Sequence, residues 1–181
     1  MPTMSTLPHL INGQLVTGQQ DGQMIHNPAS GEPLTHVPFA NQAEVDEAVT
    51  AARHAFAAWQ TASLNERVRI LFQFKALLEQ KMDELANLVC QEHGKTLNEA
   101  QGSVRRGIEL VEFACGIPRL LQGHYSTQIA SGVDCYTLRQ PIGVSVAITP
   151  FNFPVMVPAW MFVTAIACGN AFILKPSEKD P

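Results

Sequence analysis

Residues 143–178 read "GVSVAITPFNFPVMVPAWMFVTAIACGNAFILKPSE", and the way this stretch folds decides the class of the whole chain. From Gln140 to Leu174 there is no Asp, Glu, Lys or Arg. A bilayer-spanning helix needs about 20 continuous apolar residues. Pro141, Gly143, Pro150, Asn152, Pro154, Pro158, Gly169 and Asn170 cut this run into short pieces, so no membrane span is expected. "GVSVAIT" is rich in β-branched residues and bounded by turn residues, the pattern of a buried strand. "VMVPAWMFVTAIACGN" reads as a helix ending at Gly169, and "AFILK" as a second buried strand. Strand, helix and strand over about thirty residues make the βαβ unit of a parallel sheet. The expected class is α/β.

Ligands of open parallel sheets bind beyond the carboxyl ends of the strands. The first strand here ends in "TPFN" and the second in "KPSE". Dinucleotide-binding units place an acidic residue at the end of the second strand, where it accepts hydrogen bonds from a ribose diol. Glu178 stands there, with Lys175 beside it as a donor. The Gly-x-Gly-x-x-Gly phosphate loop is missing after the first strand, and on the residues alone a polar loop that merely closes a strand fits equally well. Asn152 raises a sharper question. Pro150 and Pro154 stop any strand or helix from running through it, and an amide buried among Phe151, Phe153 and Val155 costs roughly 1–3 kcal/mol unless hydrogen-bonded. An asparagine at a break between elements is either a working group or a loop residue that bonds its own backbone.

Toward the amino terminus the pattern turns helical. Asn41 with Glu44, Ser63 with Glu66, and Thr96 with Glu99 have the spacing of capping boxes. Behind the first, Val45, Ala48, Val49, Ala52, Phe56 and Trp59 recur at helical intervals. A second helix is expected over "RVRILFQFKALLEQK", and a third over "MDELANLVCQEH", closed by Gly94. The fourth starts at Thr96 and runs to about Pro118. Before them, "LINGQLVTG" reads as a hairpin and "NPASGEPLTHVP" as turn and strand. "SGVDCYTLRQ" alternates Val133, Cys135 and Thr137 with Asp134, Tyr136 and Leu138, a half-exposed strand.

The chain of 181 residues is 46% hydrophobic and 15% charged, enough for one domain with a core. Its net charge of −4, with no basic stripe to replace phosphate counterions, argues against a nucleic-acid partner. Cys90, Cys115, Cys135 and Cys168 form no Cys-x-x-Cys pair, so no metal site or disulfide framework is expected and a reducing cytoplasm fits. Arg53 is the first basic residue, so residues 1–52 offer neither a secretory n-region nor an Arg-rich transit peptide.

The run "PFNFP", followed past one helix by "GNAFILKPSE", resembles the start of the cofactor domain of aldehyde dehydrogenases. Most of that family has tryptophan before the asparagine. Phe151, with "EHGKT" at 92–96 and "RRGIELVEFACGIPRLLQG" at 105–123, is similar to the CoA-acylating methylmalonate-semialdehyde dehydrogenase branch. The resemblance spans essentially the whole chain. It implies an amino-terminal helical layer (1–124), a strand segment of an oligomerisation sheet (125–140) and the first βαβ unit of a Rossmann-like NAD domain (141–181).

It also implies roles. Asn152 would aim its amide N–H at the oxyanion formed when a cysteine attacks an aldehyde, a preorganised contact typically worth roughly 3–4 kcal/mol of barrier. Thr149 and Phe151 would line the nicotinamide side, while Lys175, Glu178 and Lys179 would hold the adenosine half. The branch has arginine where Lys179 stands. Glu178 would repel a 2′-phosphate, favouring NAD over NADP. Arg106 would bind the carboxylate of a malonate or methylmalonate semialdehyde, with Arg105 and Arg119 as neighbours. CoA would then accept the acyl group, giving acetyl-CoA or propionyl-CoA with loss of CO2.

The family's nucleophilic cysteine, its nicotinamide-loop glycine and a second substrate arginine are expected beyond Pro181. An inactive amino-terminal portion is therefore expected, prone to self-association through unpaired strand edges, in a family of tetramers. A CoA-independent aldehyde dehydrogenase and a non-catalytic nucleotide-binding or assembly module are the competing readings.

Overall fold

The computed structural model describes residues 5–181; the first four residues of the 1–124 segment lie outside the described residues. Five short strands come first: β1 (Ser5–Thr6), β2 (His9–Ile11), β3 (Gln14–Val16), β4 (Gly22–His26) and β5 (Pro33–Pro38). β2 and β3 form the hairpin expected around "LINGQLVTG". Its two-residue turn, Asn12–Gly13, has φ of 51° and 75°, the left-handed pair that a tight hairpin demands. β5 pairs antiparallel with β4 and parallel with β1.

Five helices follow: α1 (Gln42–Trp59), α2 (Leu64–Gln80), α3 (Met82–His93), α4 (Leu97–Cys115) and the single turn α5 (Ile117–Leu120). Asn41, Ser63 and Thr96 form complete capping boxes with Glu44, Glu66 and Glu99. Such a cap is worth about 1 kcal/mol. Gly94 closes α3 in the left-handed conformation, φ 81°. The fourth helix stops earlier than expected. It ends at Cys115, and Pro118, which cannot donate into a continuing helix, lies near the start of α5 instead.

Beyond a hairpin of β6 (Tyr125–Ala130) and β7 (Val133–Tyr136) lies the βαβ unit: β8 (Val144–Ile148), α6 (Met156–Ala167) and β9 (Ala171–Lys175). β8 and β9 pair in parallel, Val144 opposite Ala171 through Ile148 opposite Lys175. α4 is the central support. One side packs Ala100, Val104 and Ile108 against Ala86 and Val89 of α3. Another packs Val111, Ala114 and Cys115 with Leu71 of α2 and Val163 and Ala167 of α6. The Trp59 indole N–H donates to the Ile166 carbonyl at 2.9 Å, tying α1 to α6.

Two expectations about burial need correction. β7 is exposed along its whole length, as is its partner β6, rather than half-buried. β8 is not a buried strand: Ala147 is buried, but Val146 is 61% exposed and Ile148 74% exposed. β9 is likewise exposed at its Leu174–Lys175 end. The composition of these strands suits burial on both sides, whereas the described residues leave part of that surface bare.

Candidate functional site

The site grows from the carboxyl ends of β8 and β9. The Thr149 N–H donates to the Lys175 carbonyl at 3.1 Å, extending the ladder by one residue. That bond holds the two strand ends side by side and buries Thr149. Lys175 then turns its ammonium onto the Glu178 carboxylate at 2.9 Å. This hydrogen bond, with the Lys175 charge, holds Glu178 below the usual carboxylate range, so it is an anion at neutral pH. Lys179 lies over the ring of Phe151, 4.7 Å from its centroid, and so bridges the two strand ends. Five residues singled out in the sequence, Thr149, Phe151, Lys175, Glu178 and Lys179, thus meet at one edge. The contact between Phe151 and Lys179 joins residues that the resemblance assigns to opposite halves of a dinucleotide.

Asn152 lies on the bent segment between β8 and α6. The premise that its amide is buried is wrong: Asn152 is exposed, and no hydrogen bond holds its side chain among the described residues. The prolines on either side keep the segment out of both regular elements. Phe153 and Val155 pack partly inward while the asparagine faces out. Its carbonyl is engaged, accepting from the Lys95 ammonium at 2.6 Å. Lys95 also sits over the Phe153 ring, 4.2 Å from the centroid. A Cβ on Gly107 of α4 would come within 3.1 Å of Val155, so the far end of the segment rests directly on that helix.

Arg106, next to Gly107, is exposed on α4 and makes no ion pair among the described residues. No ion pair among the described residues links it to the strand-end residues; its neighbour Gly107 is where Val155 of the Asn152 segment rests. The four cysteines are free: Cys115 is buried, Cys135 exposed, and Cys90 and Cys168 intermediate. Burial raises the Cys115 and Cys168 thiols, which fits packing rather than nucleophilic use. No group able to hold a metal ion occurs among the described residues, and none of their helices is long and apolar enough to cross a membrane.

Sequence reading missed three charged neighbours of this site: Glu92, Lys95 and Asp180. Asp180 is buried near Glu92 at the end of α3, and its Oδ2 has no hydrogen-bond partner among the described residues. Burial, with the nearby Glu92 carboxylate, pushes Asp180 up to about 7, and burial raises Glu92 as well. Lys95 acts in the opposite sense on Asp180, and burial, with the Lys95 charge as a smaller cause, keeps the neighbouring His93 below its ordinary value. An acid whose pKa is raised on folding contributes most below its unfolded value, and that contribution fades as pH rises through the folded one. The turn in which Asp180 N–H bonds Ser177 should therefore hold best in acid and loosen through pH 7. Hydrogen exchange checks this: once intrinsic rates are divided out, protection of the 179 and 180 amides should fall roughly tenfold or more between pH 5 and 8. Asp180→Asn should flatten that profile. A profile unchanged by the substitution would mean that the carboxyl pair does not hold the turn.

Residues 15–181 match the aldehyde dehydrogenase family, and the chain belongs to it. It is 49% identical over 178 residues to the malonate-semialdehyde dehydrogenase of Pseudomonas aeruginosa, covering 98% of this chain and 36% of that protein. With malonate-semialdehyde dehydrogenase 2 of Geobacillus kaustophilus it shares 50% over 179 residues, 98% of this chain and 37% of the relative. Among solved structures, the methylmalonate-semialdehyde dehydrogenase of Oceanimonas doudoroffii superposes with a TM-score of 0.95 at 51% identity, covering 98% of this chain and 36% of that one. A Sinorhizobium meliloti chain assigned to the same activity and complexed with NAD gives a TM-score of 0.96 at 44% identity, covering 100% and 37%. The chain therefore spans little more than a third of the length of these relatives.

Proposed function

We propose that this chain supplies the cofactor-facing and oxyanion-facing part of an NAD-dependent, CoA-acylating dehydrogenase of malonate or methylmalonate semialdehyde. The observation that carries this reading is the edge where β8 and β9 end. There an unengaged asparagine amide on a proline-bracketed segment stands on the first strand end, and the Lys175–Glu178 pair on the second. The residues present suit a dinucleotide. Glu178 is an ionised acceptor for a ribose diol and a repulsive one for a 2′-phosphate. Lys175 and Lys179 add donors to the adenosine half, and Thr149 and Phe151 border the nicotinamide half. When bound, NAD takes up the hydride lost as the aldehyde is oxidised. Asn152 stabilises the negative charge that develops on the aldehyde oxygen under nucleophilic attack. Arg106 holds the substrate's distal carboxylate by paired N–H bonds, and CoA receives the acyl group with loss of CO2.

Assembly belongs to the same reading. We take residues 1–124 and 141–181 as parts of one NAD-binding domain and residues 125–140 as a segment that joins copies. The support is the β6–β7 hairpin, whose Tyr125, Ile129, Val133 and Tyr136 all stand exposed. Exposed strands with apolar side chains seek a partner edge, so a homo-oligomer follows. A cytoplasmic setting agrees with four unpaired thiols.

A graft tests the proposal. Residues 1–181 replace the matching 36% of the Pseudomonas aeruginosa malonate-semialdehyde dehydrogenase, and NADH formation is followed with malonate semialdehyde and CoA. Turnover is expected with NAD and should be weak with NADP. A soluble, folded graft without turnover would reject the reading.

A further inference from the structure

We infer that Lys95 is a positioning residue for the Asn152 segment; this rests on the dehydrogenase reading above. Lys95 is rooted in a tight turn between two helices. It is the single residue between Gly94, which ends α3 in the left-handed conformation, and Thr96, which caps α4. A Cβ at Gly94 would lie 2.7 Å from Pro28, so this turn is wedged against the loop after β4 and cannot easily shift. The Lys95 backbone is thereby pinned on both sides.

Its side chain crosses 57 residues of sequence to make two contacts with the turn that carries Asn152. The ammonium donates to the Asn152 carbonyl at 2.6 Å and sits over the Phe153 ring at 4.2 Å. The carbonyl belongs to the peptide joining Asn152 to Phe153. A cation on that oxygen and against the next ring restrains rotation of the peptide, and with it the direction of the Asn152 side chain. Burial lowers the Lys95 pKa, while the Asp180 and Glu99 carboxylates act on the ammonium in the opposite sense. At the other end Val155 rests on Gly107. The segment is thus clamped twice, once from the turn that leads into α4 and once from α4 itself.

An oxyanion donor is effective when it is already aimed and needs no reorganisation during the reaction. Asn152 has no side-chain hydrogen bond among the described residues to aim it, so its direction depends on its backbone. Lys95 touches no reacting atom in this account. It acts through Asn152, and its loss should appear in the rate of the chemical step, not in cofactor binding.

The experiment uses the graft and the 181-residue chain. In the graft, Lys95→Met should lower kcat roughly ten- to a hundredfold, the range of a charge-assisted hydrogen bond, with NAD affinity changed less than twofold. Lys95→Arg, which keeps both the donor and the contact with the ring, should recover most of the rate. A kcat unchanged in Lys95→Met overturns the inference. So does a parallel fall in rate, NAD affinity and thermal midpoint that Lys95→Arg fails to rescue. The carbonyl 13C shift of Asn152, read by NMR in the 181-residue chain, gives an answer that needs no activity. It should move upfield in Lys95→Met as the hydrogen bond is lost, and an unmoved shift overturns the inference even where Lys95→Met is too unstable to assay in the graft. An inactive graft with Lys95 intact would instead reject the dehydrogenase reading, and the carbonyl shift would still decide whether Lys95 holds the turn.

Discussion

Asn152→Ala in the graft is expected to lower kcat by about a hundredfold or more while leaving NAD binding within a factor of about two, the signature of a lost oxyanion donor. The expected size comes from the chemistry of the step. Charge accumulates on the aldehyde oxygen only as the nucleophile attacks, so a donor aimed at that oxygen binds the transition state more tightly than the ground state. The geometry makes the substitution a clean one. The Asn152 side chain is exposed and unengaged, and the contact that holds its segment runs through the backbone carbonyl to Lys95. Alanine keeps that carbonyl, so the segment should stay in place and the loss should report the amide alone. An unchanged kcat with weakened NAD binding would make Asn152 a cofactor contact instead.

Arg106→Leu should separate substrates rather than steps. A guanidinium that grips a carboxylate through paired N–H bonds contributes strongly to binding, and a hydrocarbon in its place leaves that carboxylate facing an apolar side chain. The expected result is a loss of roughly a hundredfold in kcat/KM for malonate semialdehyde. For propanal, which has no carboxylate, the loss should be under about threefold. Steady-state kinetics with the two aldehydes on the same preparation decides it. Arg106 is exposed and unpaired among the described residues, so its removal should barely change stability, and equal losses on both substrates would remove the carboxylate role. Arg105, its exposed neighbour, serves as a control whose replacement should affect both aldehydes little.

What could be read in the sequence follows from the range of the forces involved. The capping boxes at Asn41, Ser63 and Thr96 close between residues three apart. The Asn12–Gly13 turn needs only its own two residues. Both are written locally and both formed as expected. The βαβ unit was legible because proline and glycine mark its joints. Burial was less so. The β-branched residues of "GVSVAIT" record a strand suited to cover on both faces, but they do not say which elements provide it, and Val146 and Ile148 stand bare. The strand β6 lies in the 125–140 segment that the resemblance implied, but its residues alone did not mark it: "YSTQIA" has no clean alternation, and Gln128 takes a left-handed φ of 53° there.

The site divides along the same line. Lys175 and Glu178 could be placed together at the strand end from "KPSE", but their ion pair, which closes across three residues, was not foreseen. Asn152 was singled out correctly as an oddity, but its apolar neighbours in sequence gave the wrong direction for its side chain. Lys95 reaches Asn152 across 57 residues, and no spacing rule connects them. The only local clue was its place as a lone residue between a glycine stop and a threonine cap. Asp180 looked like one more charge in a polar tail, yet it is 3% exposed, because the turn after β9 folds it back against Glu92.

The most direct test of the central claim is the product made by the graft from malonate semialdehyde, NAD and CoA. Chromatography of the reaction mixture should show acetyl-CoA accumulating in step with NADH, and omission of CoA should stop sustained NADH formation. NADH released at full rate without CoA, with a free carboxylic acid as product, would contradict the account.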